Sequence, residues 1–398
     1  LSFTNCWTSF SKKLISNQTK KLKIAWIVPG FQSDAADRCI PALTDLAHRV
    51  AEQHSLKVYA LQYPGREDCY KIGQVTIQSF QPGPPAKIAR LGRVGPLFRT
   101  LRAIRREPPD LLHAFWAAEP ALAGTLAAKI TGRPLIVACM GGEPVYLPEI
   151  GYGAARKWLD RTYLRLAVAG SQVMTAGSQV QADLLKAKFG DRVDPVLMPL
   201  GVDLARFKAE PKPLPESPLI LAVGSLLPVK GHVRLVEAVA KIPQVRLRIA
   251  GEGPERPRLE RLINRLKLND RVQLAGAIDP LKMPDEYAAA DLLALPSYYE
   301  SQCVALIEGL ACGLPAVAAP VGIAPELLAG RKAGELAQDN SLEALAQAIT
   351  LLLARREDWP QIRQAAHTTA EMVSLERCSN KLMNLYEAIE AQPKPEKR

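Results

Sequence analysis

Two glutamates, one lysine and a few short glycine turns are the residues of this chain whose types and spacing could do chemistry. Glu300 and Glu308 lie in the stretch from Tyr299 to Pro315, which closes on Gly313-Leu314-Pro315. An apolar strand ending at Pro296, a loop carrying Glu300 and a helix beginning near Gln302 are the expected local elements. A helix start presents unpaired backbone amides and a partial positive charge, so Ser301, Gln302, Cys303 and Val304 could face a diphosphate. Glu308, two turns along, is within reach of the same bound molecule. Ionised carboxylates only accept hydrogen bonds and hydroxyls donate them, so both glutamates suit sugar hydroxyls. In most proteins two glutamates at this spacing are simply a solvated pair, and spacing alone does not choose.

A second stretch, Ala222–His232, reads as a strand ending in a turn at Gly224, then Ser225, then Lys230-Gly231. Such a turn lets backbone approach a phosphate, and a lysine there supplies a point charge to neutralise it. A lone lysine after a strand is more often a surface residue. Two weaker turns follow strands at Gly251-Glu252-Gly253 and at Val28-Pro29-Gly30-Phe31, where an ordinary turn is an equally good reading.

The elements that must position these residues repeat one theme, a short apolar strand followed by a longer helical pattern, the signature of parallel α/β architecture. Strands are expected at Ile24–Val28, Leu56–Ala60, Val75–Phe80, Leu111–His113, Leu135–Ala138 and Gln172–Ala176. Helical patterns at Ala36–Ala51, Pro120–Ile130 and Arg156–Val168 lie between them. A second run of strands covers Leu219–Val223, Arg246–Ala250, Val272–Ala275, Leu292–Leu295 and Ala316–Ala318. The resulting division is an N-terminal extension (1–21), a first domain (22–207), a proline-rich linker (208–218), a second domain (219–372) and a C-terminal helix with a tail (373–398). The 398 residues suffice for two ordinary domains.

With these elements in place, the motifs resemble those of the retaining glycosyltransferases of family 4 (glycosyl transferases group 1), which have the GT-B fold of two Rossmann-like doubly wound domains facing across a cleft. The spacing of Glu300 and Glu308 is similar to that family's E-x(7)-E motif, and Ala311–Ala318 and Pro320–Glu326 resemble its neighbouring segments. The resemblance implies that Glu300 holds the donor sugar and Glu308 the nucleotide ribose. It also implies that Lys230 helps the diphosphate leave, and that Gly224, Ser225, Gly251, Gly253 and Ile278 border the donor. Gly30 and Phe31 would face its phosphates from across the cleft, and Gly141, Gly142 and Glu143 would line the acceptor side. The sequence departs from the family pattern twice: Ser225 stands where arginine is usual and Met140 where histidine is usual. Pro199–Asp203 with Phe207 resembles an interdomain signature, and His113 reads as a packed residue.

The implied function is retaining transfer of a hexosyl group from a nucleoside-diphosphate sugar to a glycan, lipid-linked or small-molecule hydroxyl. The residues also fit a sugar-nucleotide epimerase, or a non-catalytic protein that binds sugar nucleotides. With no Asp-x-Asp motif in a nucleotide-binding setting and no phosphate loop of the G-x-x-x-x-G-K-[ST] kind, the expectation is a metal-independent reaction without a cofactor. Seven scattered cysteines, none in a C-x-x-C pair, argue against a disulfide framework or a structural zinc site. The net charge of +11 suits an anionic partner. Between Lys87 and Arg106 are seven basic residues and no acid, interleaved with apolar ones, a pattern that fits either a solvated helix face or a contact with an anionic membrane. No nucleic-acid recognition module is present. No stretch is apolar enough to span a bilayer or to form a signal-peptide core. A cytoplasmic station, peripheral at the inner membrane face, is expected.

Overall fold

The computed structural model describes residues 20–34, 37, 39–80, 94–208, 213, 215–330 and 332–392. The extension before residue 20, residues 87–93 of the basic segment, much of the linker and the tail after 392 lie outside the described residues. Strands β1 (Lys23–Gly30), β2 (Ser55–Tyr63), β3 (Glu67–Ile72), β4 (Val75–Phe80), β5 (Leu111–Phe115), β6 (Leu135–Cys139), β7 (Val173–Ala176) and β8 (Val196–Leu197) form one sheet. Its order is β3-β4-β2-β1-β5-β6-β7-β8. Every pair is parallel except β3 with β4. A second, wholly parallel sheet contains β9 (Leu219–Val223), β10 (Arg246–Ala250), β11 (Val272–Gly276), β12 (Leu292–Leu295), β13 (Ala316–Ala318) and β14 (Gly334–Leu336), in the order β11-β10-β9-β12-β13-β14.

Helices cover both faces of each sheet, so the central strands are buried throughout and read as unbroken apolar runs. Edge strand β3, Glu-Asp-Cys-Tyr-Lys-Ile, has the opposite character: it is charged, largely exposed and antiparallel, and no apolar pattern announces it. Among the described residues the first helix is Pro41–Gln53, where proline's fixed φ and missing amide proton suit the first helical position; Ala36 lies outside the described residues. The pattern expected from Arg156 divides into a short turn at Ala154–Arg156 and a helix at Trp158–Gly170.

The chain crosses between the two cores twice, and the crossings lie side by side. Val202 donates its amide to Val373 O (3.2 Å) and accepts from Leu375 N (2.8 Å). Val202 and Phe207 pack into the second core, whereas the C-terminal helix Leu375–Glu390 returns to the first. There Tyr386 accepts from Trp26 Nε1 (3.0 Å) and meets His113 Nδ1 (2.7 Å). Burial pulls the His113 imidazole down to about 3, so it stays neutral. The C-terminal helix therefore packs into the first domain's core, and His113 helps anchor it.

Candidate functional site

The carboxyl ends of β9 and β12 carry two loops that are tied to each other. Lys230 closes a single turn, Pro228–Lys230, and Gly231 follows at φ +67°, a left-handed conformation that glycine adopts without strain. A Cβ at Gly231 would also overlap the Pro296 carbonyl, to which Arg234 Nη2 donates. Tyr298 donates its amide to Val229 O (2.8 Å). This pairing sets the Lys230 ammonium 2.7 Å from Glu300 Oε1, with side chains 25% and 12% exposed. Ser297 Oγ donates to the same oxygen (2.7 Å). Behind the pair, Gly322 comes so close that a Cβ there would stand 2.8 Å from Glu300 Cβ. Burial alone would pull the lysine down, but Glu300 more than offsets it and the ammonium is held above its ordinary value. The site thus keeps a fixed positive charge, with ammonium hydrogens beyond the one given to Glu300.

Glu308 belongs to a second cluster. The helix begins at Val304, not near Gln302, because Cys303 sits at φ +76° and cannot continue into it. Gln302 is buried, and its Oε1 accepts from Leu200 N (3.1 Å), so its side chain ties the loop to the crossing segment instead of facing a ligand. The Cys303 side chain is likewise packed inside the second core. Glu308 accepts from the Tyr287 hydroxyl (2.8 Å). Burial raises its carboxyl to about 7, against the opposing effects of that hydrogen bond and of Arg206. Ser225 is exposed at the loop tip. The Gly251 and Gly253 turn lies beneath it: Gly224 N donates to Ala250 O (3.0 Å) and Leu226 N to Glu252 O (2.8 Å). His232, buried and lowered to about 4 chiefly by that burial, fixes the Gly224 carbonyl through Nε2 at 3.3 Å. Ile278 is partly buried against the second core.

The first domain meets these loops through residues 140–152. Ser301 Oγ donates to Met140 O (2.6 Å), Tyr299 Oη donates to Gly141 O (3.0 Å), and Ser178 Oγ donates to Ser301 O (2.7 Å). The Glu143 side chain, expected on the acceptor side, is instead buried beneath its own loop. It accepts from Ala117 N (3.1 Å), Met140 N (3.2 Å) and Gly141 N (2.6 Å), so it organises the loop. Phe31 is also corrected: its ring is in the first core and its amide donates to Tyr63 O (3.4 Å). Gly30 is the last residue of β1, pressed against the Tyr63 side chain. Gly141 and Gly142 remain at the domain contact, with Gly142 directly under the Tyr152 ring.

Lys230, Glu300 and Ser301 are thus brought together with Gly141 and Gly142, while the side chains of Glu143, Gln302, Cys303 and Phe31 pack inward. Sequence reasoning missed Ser297, Tyr299 and Tyr152. The first holds Glu300, the second bridges the domains, and the third is partly buried where the charges of both Glu300 and Lys230 act on its phenol. No spacing signals them, because their roles arise only when separate loops meet. The six described cysteines are free thiols. Among the described residues no helix is long and apolar enough to cross a membrane.

The family model for glycosyl transferases group 1 matches residues 205–369, and that for the glycosyl transferase 4-like domain matches residues 40–201. The chain is 28% identical over 261 residues to a GDP-mannose-dependent alpha-(1-6)-phosphatidylinositol monomannoside mannosyltransferase of Mycolicibacterium smegmatis, covering 60% of this chain and 66% of that one. It is 32% identical over 240 residues to a D-inositol 3-phosphate glycosyltransferase of Segniliparus rotundus, covering 56% and 53%. Both matches span less than two thirds of the relative's length. Among solved structures, sucrose-phosphate synthase from Thermosynechococcus elongatus superposes with a TM-score of 0.78 at 22% identity, covering 93% of this chain and 99% of that one. The Anabaena protein HepE in complex with UDP and glucose gives 0.73 at 21%, covering 92% and 100%. At such identities these are likenesses of fold.

Proposed function

The chain belongs to glycosyltransferase family 4 and has the GT-B fold, and on that premise we propose that it moves a hexosyl group from a nucleoside-diphosphate sugar to a hydroxyl of a lipid-linked or glycan acceptor, with retention. The observation that carries this reading is the Lys230–Glu300 pair, held at the carboxyl edge of the second sheet, where open α/β sheets bind ligands. In this reading the departing diphosphate is neutralised by Lys230 and by the amides at the start of helix Val304–Ala311, without a metal ion, while Glu300 positions the sugar. Charges fixed before the reaction lower a barrier efficiently because they need not reorganise during it. The absence of the usual arginine at Ser225 leaves Lys230 as the side-chain cation of that loop.

Glu308 would accept from the nucleotide ribose. The curated relatives named for GDP-mannose and for phosphatidylinositol or inositol phosphate acceptors support a hexosyl donor and a phosphate-bearing acceptor. Helix Val94–Arg106, with four arginines and no acid, supports a station at an anionic membrane surface. The test is transfer of radiolabelled sugar from GDP-mannose and UDP-glucose into a membrane-lipid extract, comparing wild type with Lys230→Ala and Glu300→Ala. Product in wild type and its loss in both variants is expected. Equal transfer in all three would overturn the site. Sugar of altered configuration formed from the donor without any acceptor would favour the epimerase alternative.

A further inference from the structure

A concavity of about 720 Å³ lies on the first domain, and neither Lys230 nor Glu300 lines it. The leading turns of three helices, Val94–Arg106, Glu119–Thr131 and Trp158–Gly170, form it together with the end of β2. Its wall is chiefly apolar, with Leu61, Leu97, Leu122, Trp158 and Leu159 among the residues that line it. Trp158 is 70% exposed and Phe98, next to Leu97, is 66% exposed. Large apolar side chains left this open, clustered around a groove, mark a surface that is covered by something else.

The rim says what kind of molecule covers it. Arg156, Lys157 and Arg161 line it together with Glu119 and Asp160, an excess of one positive charge. Arg165, one helical turn beyond Arg161, and Arg102, Arg105 and Arg106 of helix Val94–Arg106 extend the excess of positive charge, while Arg99 pairs with Glu67. The field is felt nearby: Lys188 is pushed below its ordinary value, first by burial and then by Arg161 and Arg165. An apolar trough with a cationic mouth matches an amphiphile with one hydrocarbon chain to bury and one anionic head to neutralise. Burying each methylene of such a chain is worth roughly 0.8 kcal/mol. A free sugar would leave the trough unused, and an uncharged chain would leave the cations unused.

We propose that this groove seats one hydrocarbon chain of a phosphate-bearing lipid, with the phosphate held by Arg156, Lys157 and Arg161. The proposal deepens the membrane-facing reading of helix Val94–Arg106 and rests on it for the orientation of the molecule.

Decyl phosphate, used below its micelle concentration so that no surface is present, tests the groove alone. Calorimetric titration of the full chain is expected to show saturable binding of one molecule. Glycerol phosphate, which has the head without the tail, and an uncharged decyl glycoside, which has the tail without the charge, should each bind at least tenfold more weakly. Leu122→Glu and the double variant Lys157→Glu/Arg161→Glu should each weaken binding tenfold or more while keeping the wild-type melting temperature. Trp158→Ala supplies a second apolar variant on an exposed side chain. Unsaturable binding, or wild-type affinity in Leu122→Glu and Trp158→Ala, would overturn the proposal. Binding to phosphatidylglycerol vesicles without binding of monomeric decyl phosphate would also overturn the groove, while leaving the membrane-facing reading intact.

Discussion

The loop after β12 and the loop after β6 each hold an acid packed against a glycine, yet they use it in opposite ways. Glu300 presents one oxygen to Lys230 and Ser297 where the two loops meet, with Gly322 packed closely against its Cβ. Glu143 folds inward and spends its carboxylate on three amides of its own neighbourhood. An acid beside glycines therefore does not by itself mark a ligand site. The distinction lies in whether backbone amides or another side chain reach the carboxylate first.

The largest expected effect follows from that contrast. Lys230→Ala or Glu300→Ala should lower kcat by about 10²–10³, the usual cost of removing one preorganised group that meets developing charge. Glu143→Ala should act on stability instead. It leaves buried donors without an acceptor, at about 1–3 kcal/mol for each group that water cannot reach, so urea unfolding should show a loss of roughly 2 kcal/mol or more. A Glu143→Ala protein as stable as wild type but with a raised acceptor KM would erase the contrast and restore the acceptor role expected from sequence.

Glu308 sharpens the comparison within the second domain. With its carboxyl near 7 it is mostly protonated at pH 6 and mostly ionised at pH 8. The ionised form accepts from two ribose hydroxyls through both oxygens and more strongly than the neutral acid, so nucleotide affinity should rise as pH rises, by up to about tenfold across that interval. In Glu308→Gln the pH dependence should vanish, and an unchanged profile would sink the ribose assignment. The smallest effect is expected at Tyr152, whose phenol lies over Gly142 near the charged pair. Tyr152→Phe removes a single hydrogen-bonding group, worth roughly 0.5–1.5 kcal/mol, and should lower kcat/KM about two- to tenfold.

Much of the fold was legible because parallel strands buried on both faces leave unbroken apolar runs, as in β5, β6 and β12. Strand β3 was not, since an exposed edge needs no apolar face. Nor was the return of helix Leu375–Glu390 to the first core, because its apolar stripe shows that it packs but not against which sheet. At the site, Lys230 and Glu300 could be paired through motif order. Glu143 and Gln302 could not be set aside, because a carboxylate or an amide looks the same in sequence whether it faces a ligand or its own backbone. Tyr299 and Ser301 bond across the domain contact, which local spacing cannot encode.

The account stands most directly on nucleotide binding at the second domain's loops. Thermal unfolding with UDP, GDP and ADP measures it, since a ligand bound only by the folded state raises the melting temperature. One nucleotide should raise the Tm of wild type and of Glu143→Gln, and the shift should disappear in Lys230→Ala. No shift with any nucleotide, or an equal shift in Lys230→Ala, would contradict the assignment of the site.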